Sequence, residues 1–448
     1  KGDLSGIAAP GQPNDKLTAR AADIGQDWQP AGFPAEFYTL GGRGKGAPVR
    51  ATVTSFGPTL LAKVLGLNDV QESSLGLVFH FADVNGLPLL DLKDLRSVIQ
   101  YLVSDEGSAE LESLGGVTKQ TAGVLLRELT TFANTGADVF FGEPEFDTAD
   151  LLRVGDDGRG VISVLELPEV QLSPALFSTF LIWLVADLFQ ELPEVGDADK
   201  PKLVFFIDEA HLVFKDASKA FLGEIVQTVR LIRSKGVGLF FVTQTPKDVP
   251  GDVLAQLGNR VQHALRAYTP DDAKALKATV STFPHTSYDL EELLTALGIG
   301  EAVVTVMSDR GVPTPVAWTK LQAPVSRMSP LDAAALDAAV SGSPMRAKYA
   351  EAIDRESAYE KLAAKVGAKA GGPEGAPSGG PSKPAAKAKG AKAKGAKAKA
   401  PARRGRKEEK SVAEKVLGSS ATRSVLRSAG SAAGRAIMRS VFGTARRR

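Results

Sequence analysis

The sequence predicts an α/β protein built on a mainly parallel sheet, and three observations carry that prediction. Leu203–Ile207 (LVFFI) and Leu239–Val242 (LFFV) are unbroken apolar runs of strand length, the pattern of strands buried on both faces of a parallel sheet. Between them Phe221, Ile225, Val229 and Ile232 recur at spacings of four, four and three, which marks one face of a helix. Upstream, Val161–Leu167 reads as a strand, and Ser173-Pro174 opens a helix running to about Leu192. Strand, helix, strand, helix and strand in this order describe a right-handed parallel unit.

The remaining elements follow in chain order. Glu36–Leu40 and Val49–Thr54 read as strands, separated by the glycine-rich loop Gly41–Gly46 (GGRGKG). Four helical patterns come next: Thr59–Leu67, Gln71–Ala82, Leu89–Ser104 with Asp91 as N-cap, and Thr118–Ala133. They interrupt the strand–helix alternation as a helical insertion over 57–135, and nothing in them proposes chemistry. Gly136–Val154 is loop-like. Past the second apolar run, Val261–Leu265 is a short strand flanked by Arg260 and Arg266. Thr269-Pro270-Asp271-Asp272 starts a helix, with Thr as cap, Pro at the first position and acids in the first turn. Gly300–Met307 and Pro313–Thr319 form a hairpin-like pair around Asp309-Arg310-Gly311, and 326–370 is a helical extension.

Composition divides the chain. Residues 365–448 hold 22 of the 54 basic residues and 4 of the 52 acidic ones, so a net charge of +2 conceals a tail of +18 on a body of −16. Gly371–Ala402, with its AKAKG repeat, has too little apolar surface to offset chain entropy and is expected to be disordered, as part of a linker over 371–410. Over 411–448, Arg423 with Arg427 and Arg435 with Arg439 fall on one helical face opposite Val425, Leu426, Ile437, Met438 and Phe442. Such a basic amphipathic helix suits nucleic acid, a partner or an anionic surface, and the tail could equally dock on its own acidic body. The absence of cysteine excludes disulfides and thiolate metal sites and fits a reducing cytoplasm. The four histidines, His80, His211, His263 and His285, lack metal-ligand spacing. The most apolar helix, Leu176–Ala186, is too short to span a bilayer, so no integral membrane segment is expected.

Chemistry concentrates at the ends of the two apolar strands. Asp208 and Glu209 follow the first, where open α/β sheets bind ligands. In a nucleotide hydrolase the first acid holds Mg²⁺ and the second orients and polarises the attacking water. Acids beginning a helix also favour its dipole, which is the plainer reading. Gln244 follows the second strand within Thr243-Gln244-Thr245, and a neutral amide there can hydrogen-bond the attacking water or a γ-phosphate oxygen. Arg230, Arg233 and Lys235 end the intervening helix before Gly236. They complement its dipole, or reach a neighbouring subunit's phosphate in a ring ATPase.

The DEAH run Asp208–His211, the arginine on the connecting helix, the glycine-led strand, TQTP and the opening KGDLSG together resemble the HerA/FtsK superfamily of DNA-translocating ring ATPases, in its bacterial HerA-like helicase type. The resemblance covers roughly residues 1–325 and extends to the Arg-rich C-terminal stretch. It implies a RecA-like P-loop NTPase core, ATP and Mg²⁺ as cofactors, DNA as partner, a homo-hexamer hydrolysing ATP at subunit interfaces, a nuclease partner and a cytoplasmic location. It implies Asp208 as the metal ligand, Glu209 as the carboxylate that activates water, Gln244 as the γ-phosphate sensor and Arg233 acting in trans. Asp3 would support them from the end of a central strand, and Arg260 or Arg266 would face the nucleotide. One departure is serious: no G-x-x-x-x-G-K-[ST] occurs, and GGRGKG lacks both the spacing and the Ser/Thr. The expectation is a piece that begins after the first strand, phosphate loop and following helix and binds ATP poorly by itself. Residues 1–56 then start the core and 136–325 complete it. Two other classes remain open: a non-catalytic scaffold tethered by its basic tail, and a secretion or conjugation motor.

Overall fold

The computed structural model describes residues 4–113, 116–166, 174–196, 199–214 and 219–370. The described residues up to Ala363 belong to one compact unit and those from Ala364 to a second. The first unit holds nearly all the described elements. The fold class is the predicted one, helices around parallel strands plus a small antiparallel sheet, but the strand at 162–166 and the two apolar strands of the expected parallel unit lie in separate sheets of three and two strands.

Helix α1 (Asp15–Asp23) precedes strand β1 (Ala35–Leu40), which lies between β2 (Ala47–Val49) and β3 (Ile162–Glu166), parallel to both. Parallel neighbours ordinarily need a crossover of a dozen or more residues, yet only Gly41–Gly46 joins β1 to β2. The glycines explain it. Gly41, Gly42, Gly44 and Gly46 all adopt positive φ, open to residues without a Cβ. A Cβ at Gly41 or Gly46 would also strike the backbone of Val139 or Phe37. Of the strand expected over Val49–Thr54 only Val49 lies in β2, because the Thr52 side chain accepts the Ser55 N–H at 3.1 Å and starts helix α2 (Val53–Val64).

Helices α3 (Asp69–Val84), α4 (Leu92–Leu102), α5 (Ser108–Ser113) and α6 (Lys119–Asn134) follow. Asp91 caps α4 and Thr118 caps α6, as their positions before the apolar periodicity predict. Their inward residues Leu75, Leu95, Val98, Leu125 and Leu129 are fully buried and belong to one apolar core with residues of β1, β2 and the later strands. This helical block shares its core with the sheet.

Helix α7 (Pro174–Glu191) leads to β4 (Leu203–Ile207); short α8 (His211–Phe214) and α9 (Lys219–Leu231) lead to β5 (Val237–Phe241). The helix expected between the two strands is α9, and its last turn, Ile232–Lys235, is a 3-10 helix stopped by left-handed Gly236. Ile225 and Ile232 are buried as their spacing predicts. Strands β4 and β5 pair in parallel from Leu203↔Val237 to Ile207↔Phe241.

These two strands correct the expectation of burial on both faces. Phe206 is 68% exposed and Phe240 49%, and their rings stack with centroids 4.6 Å apart. Alternation along a strand sends successive residues to opposite faces, so Ile207, Leu239 and Phe241 pack on the helices while Phe206 and Phe240 face away.

Beyond α10 (Gly251–Leu254), β6 (Arg260–Gln262), β7 (Glu301–Thr305) and β8 (Ala317–Lys320) form an antiparallel sheet in that order, with α11 (Pro270–Val280) and α12 (Leu290–Ala296) between the first two. Thr269 caps α11 and β7–β8 is the predicted pair. Leu276, Leu290, Leu294 and Val303 make a second small core. The start of the chain binds here: Asp23 pairs with Lys320 at 2.6 Å, and Gln26 exchanges two hydrogen bonds with the Ala323 backbone.

Helices α13 (Ala333–Ser341), α14 (Pro344–Tyr349) and α15 (Ala358–Ala370) form the helical extension. Polar clamps hold its first two helices and the start of the third: Ser343 donates to Glu36, Tyr349 to Asp150, Arg355 pairs with Glu143, and Ser357 donates to Asp94. No helix among the described residues is long and apolar enough to cross a membrane. The 371–410 linker and the 411–448 helix lie outside the described residues.

Candidate functional site

The adjoining ends of β4 and β5 are held in step by backbone hydrogen bonds that outlast the strands. Val242 N–H donates to the Ile207 carbonyl, and Ala210 N–H donates back to the Val242 carbonyl, both at 2.9 Å. The turn Asp208–Ala210 is therefore pinned to the strand that carries Gln244. Within it the Glu209 N–H donates to Asp208 Oδ1 at 2.9 Å, and the Glu209 carbonyl accepts the Leu212 N–H at 2.9 Å as α8 begins.

Glu209 has φ +50°, the only non-glycine residue among those described with positive φ. For a residue with a Cβ this conformation costs on the order of 1 kcal/mol or more and persists where surroundings enforce it, often at functional sites. Here it directs the carboxylate toward β5. Gln244 Nε2 donates to Glu209 Oε2 at 3.5 Å. The acid and the amide expected to work together therefore meet, 35 residues apart in the chain. Asp208 is exposed beside them, and Glu209 keeps 25% of its side chain accessible.

Two supporting residues escaped the sequence reading. Asp248 Oδ2 accepts the Thr243 hydroxyl at 3.1 Å and the Thr245 N–H at 3.2 Å, bracketing Gln244 from both sides. The signal was present as Thr245-Pro246-Lys247-Asp248, a Thr with an acid three residues on, which resembles a capping box. His211 lies with Nδ1 3.4 Å from Glu209 Oε2. Its place in the DEAH run was visible, but its contact was not.

The arginines stand apart from this pair. Arg233 is exposed on the 3-10 turn before Gly236, at the start of β5, whereas Gln244 follows its end. Five strand residues separate those ends by roughly 15 Å, so Arg233 lies away from Asp208 and Glu209 of its own chain. Arg260 donates to the Thr282 carbonyl at 3.0 Å and lies over the Phe283 ring. Arg266 donates to the carbonyls of Thr295 and Leu297 at the end of α12. Both arginines sit at helix C-termini, where cations meet the unpaired carbonyls and the negative dipole end. Each thereby holds a helix end of the small antiparallel subdomain. Asp3 lies outside the described residues.

No cluster of three or more metal-ligating side chains exists among the described residues. An exposed single carboxylate at Asp208 nevertheless fits Mg²⁺, which keeps several waters and uses one or two carboxylates together with substrate phosphates.

The profile of the helicase HerA-like C-terminal family matches residues 1–448. The chain is similar to the DNA double-strand break repair helicase HerA of Sulfurisphaera tokodaii, 30% identical over 162 residues that make up 35% of this chain and 30% of that protein. It is also similar to the probable helicase MJECL08 of Methanocaldococcus jannaschii, 32% identical over 124 residues, 27% of this chain and 22% of that one. The matches thus span less than a third of either relative. Among solved structures, the plasmid coupling protein TrwB with a non-hydrolysable ATP analogue aligns with a TM-score of 0.45 at 15% identity, over 65% of this chain and 75% of that one. VirB4 of Thermoanaerobacter pseudethanolicus aligns with a TM-score of 0.42 at 16% identity, over 70% and 80%.

Proposed function

We propose, for a chain that belongs to the HerA-like helicase C-terminal family, that the complete protein is an ATP-hydrolysing motor acting on DNA. The observation that carries the reading is the meeting of Glu209 Oε2 and Gln244 Nε2 at the C-terminal ends of two parallel strands, where α/β sheets bind ligands. Glu209, turned toward β5 by its left-handed backbone, orients and polarises the attacking water. Gln244 places its amide beside that water or a γ-phosphate oxygen. Asp208 would hold Mg²⁺, which when bound offsets the charge of the β- and γ-phosphates. Both strand tips are hydrogen-bonded to one another, so little reorganisation is needed as charge develops.

Hydrolysis at the interfaces of a homo-hexameric ring belongs to this proposal, with Arg233 reaching a neighbouring subunit's nucleotide. Its support is the exposed position of Arg233 at the opposite end of β5 from its own acids. Asp3 joins the proposal as a supporting acid, the basic tail as a DNA contact, and a nuclease as partner.

The test is Glu209→Gln in the complete protein. The amide is nearly isosteric but is no base, so steady-state ATP turnover should fall by about a hundredfold or more, while nucleotide affinity, read by titration of a fluorescent ATP analogue, stays unchanged. Equal turnover by the variant would sink the assignment.

A further inference from the structure

We propose that His211 is a positioning residue for the Glu209 carboxylate, holding Oε2 together with Gln244 so that the acid faces the water in one orientation. This rests on the hydrolase reading above. The last torsion of a glutamate is broad and roughly two-fold, so nothing intrinsic to Glu209 selects the direction of its oxygens. The structure supplies that selection from two elements at once. His211 Nδ1 approaches Oε2 to 3.4 Å from the first residue of α8. Gln244 Nε2 approaches the same oxygen to 3.5 Å from the end of β5. With two groups converging on one oxygen, rotation of the carboxylate would break both contacts.

His211 is held firmly enough to serve. The Leu212 N–H bond to Glu209 and the Val213 N–H bond to Ala210, at 2.9 and 3.0 Å, fix its backbone. Val213 and Phe214, next along α8, are buried. The Nδ1 atom is itself enclosed and makes no well-aligned hydrogen bond. An enclosed polar nitrogen is costly unless paired, and the carboxylate beside it is the partner within reach. Contacts at catalytic acids are often long in the unliganded protein and tighten around the reactants. The role requires a proton on Nδ1, since the other neutral tautomer would set a lone pair against the carboxylate.

Three substitutions in the complete protein separate positioning from bulk. Asn at 211 places an amide N–H near the Nδ1 position, Gln carries its amide out toward the Nε2 position, and Ala offers neither. His211→Ala and His211→Gln should lower kcat for ATP hydrolysis by about ten- to a hundredfold with KM changed less than about twofold, whereas His211→Asn should stay within a few-fold of the parent. Asn as slow as Ala, or all three as fast as the parent, overturns the role. A second measurement leaves His211 in place: in ¹⁵N spectra of the parent its Nδ1 should appear protonated and should shift in Glu209→Gln. An Nε2-protonated neutral ring that ignores that substitution overturns the role as well. Hydrolysis that depends on Glu209 but not on His211 removes this inference alone. Absence of hydrolysis, or full activity of Glu209→Gln, removes the hydrolase reading and this inference with it.

Discussion

Asp248 shapes the segment that carries Gln244 by holding the residues on either side of it rather than the amide itself. One carboxylate oxygen accepts from the residues on either side of Gln244, so the loop after β5 has a defined shape before any ligand binds. Asp248→Ala removes both acceptor contacts and should reduce kcat by about tenfold with a smaller change in KM, because misplacing an orienting group costs rate more than binding. Asp248→Asn retains one acceptor oxygen and should fall between. Steady-state kinetics with melting temperatures measured in parallel distinguish this from general destabilisation. A variant as active as the parent would show that the amide needs no such bracket. The acids and the amide were legible in the sequence because each ends an apolar run. The bracketing acid was legible only as a local cap.

The helical extension is attached by polar clamps as well as by buried Val340, Met345, Tyr349 and Leu362, and one polar group at the start of its last helix has a pH dependence. The one hydroxyl proton that Ser357 shares between Glu360 and Asp94, the Ser357 N–H, and Lys93 beside them hold Glu360 below its ordinary 4.5, at about 2. A carboxylate with a lowered folded pKa contributes stability that is fully present above its unfolded value and is lost as pH falls through the folded one. The cap at the start of α15 should therefore weaken between about pH 4.5 and 2. Ser357→Ala removes the hydroxyl, so its unfolding midpoint should fall less steeply than the parent's across that window. Parallel acid limbs for the two proteins would count against the clamp. The cap itself is readable as Ser357-Ala358-Tyr359-Glu360, but the partner Asp94, 263 residues upstream, is not. The strands show the same division. The apolar runs β4 and β5 are where the pattern puts them, yet which face stays open, with Phe206 and Phe240 stacked upon it, follows from where the helices pack.

Across the whole molecule the charge is split between body and tail. A tail of +18 on a body of −16 offers one end for a polyanion while the remainder repels it. If the tail contacts DNA, deleting 371–448 should weaken binding and flatten the dependence of log affinity on log salt, since each phosphate neutralised contributes to that slope. Identical slopes for the complete and shortened proteins, measured by anisotropy at several salt concentrations, would exclude the contact.

What the sequence alone determined was local: the apolar strands and the polar residues at their tips, the caps Asp91, Thr118 and Thr269, and the basic tail. These depend on windows of a few residues, within which sterics, capping and periodicity act whatever the rest of the chain does. The tertiary structure decided which tips meet, that His211 and Gln244 share one oxygen of Glu209, and that Arg260 and Arg266 are committed to helix ends. It also decided that GGRGKG serves a tight parallel crossover. Those outcomes depend on which distant surfaces and unpaired carbonyls remain available once the core has closed, and no short stretch of sequence contains that information.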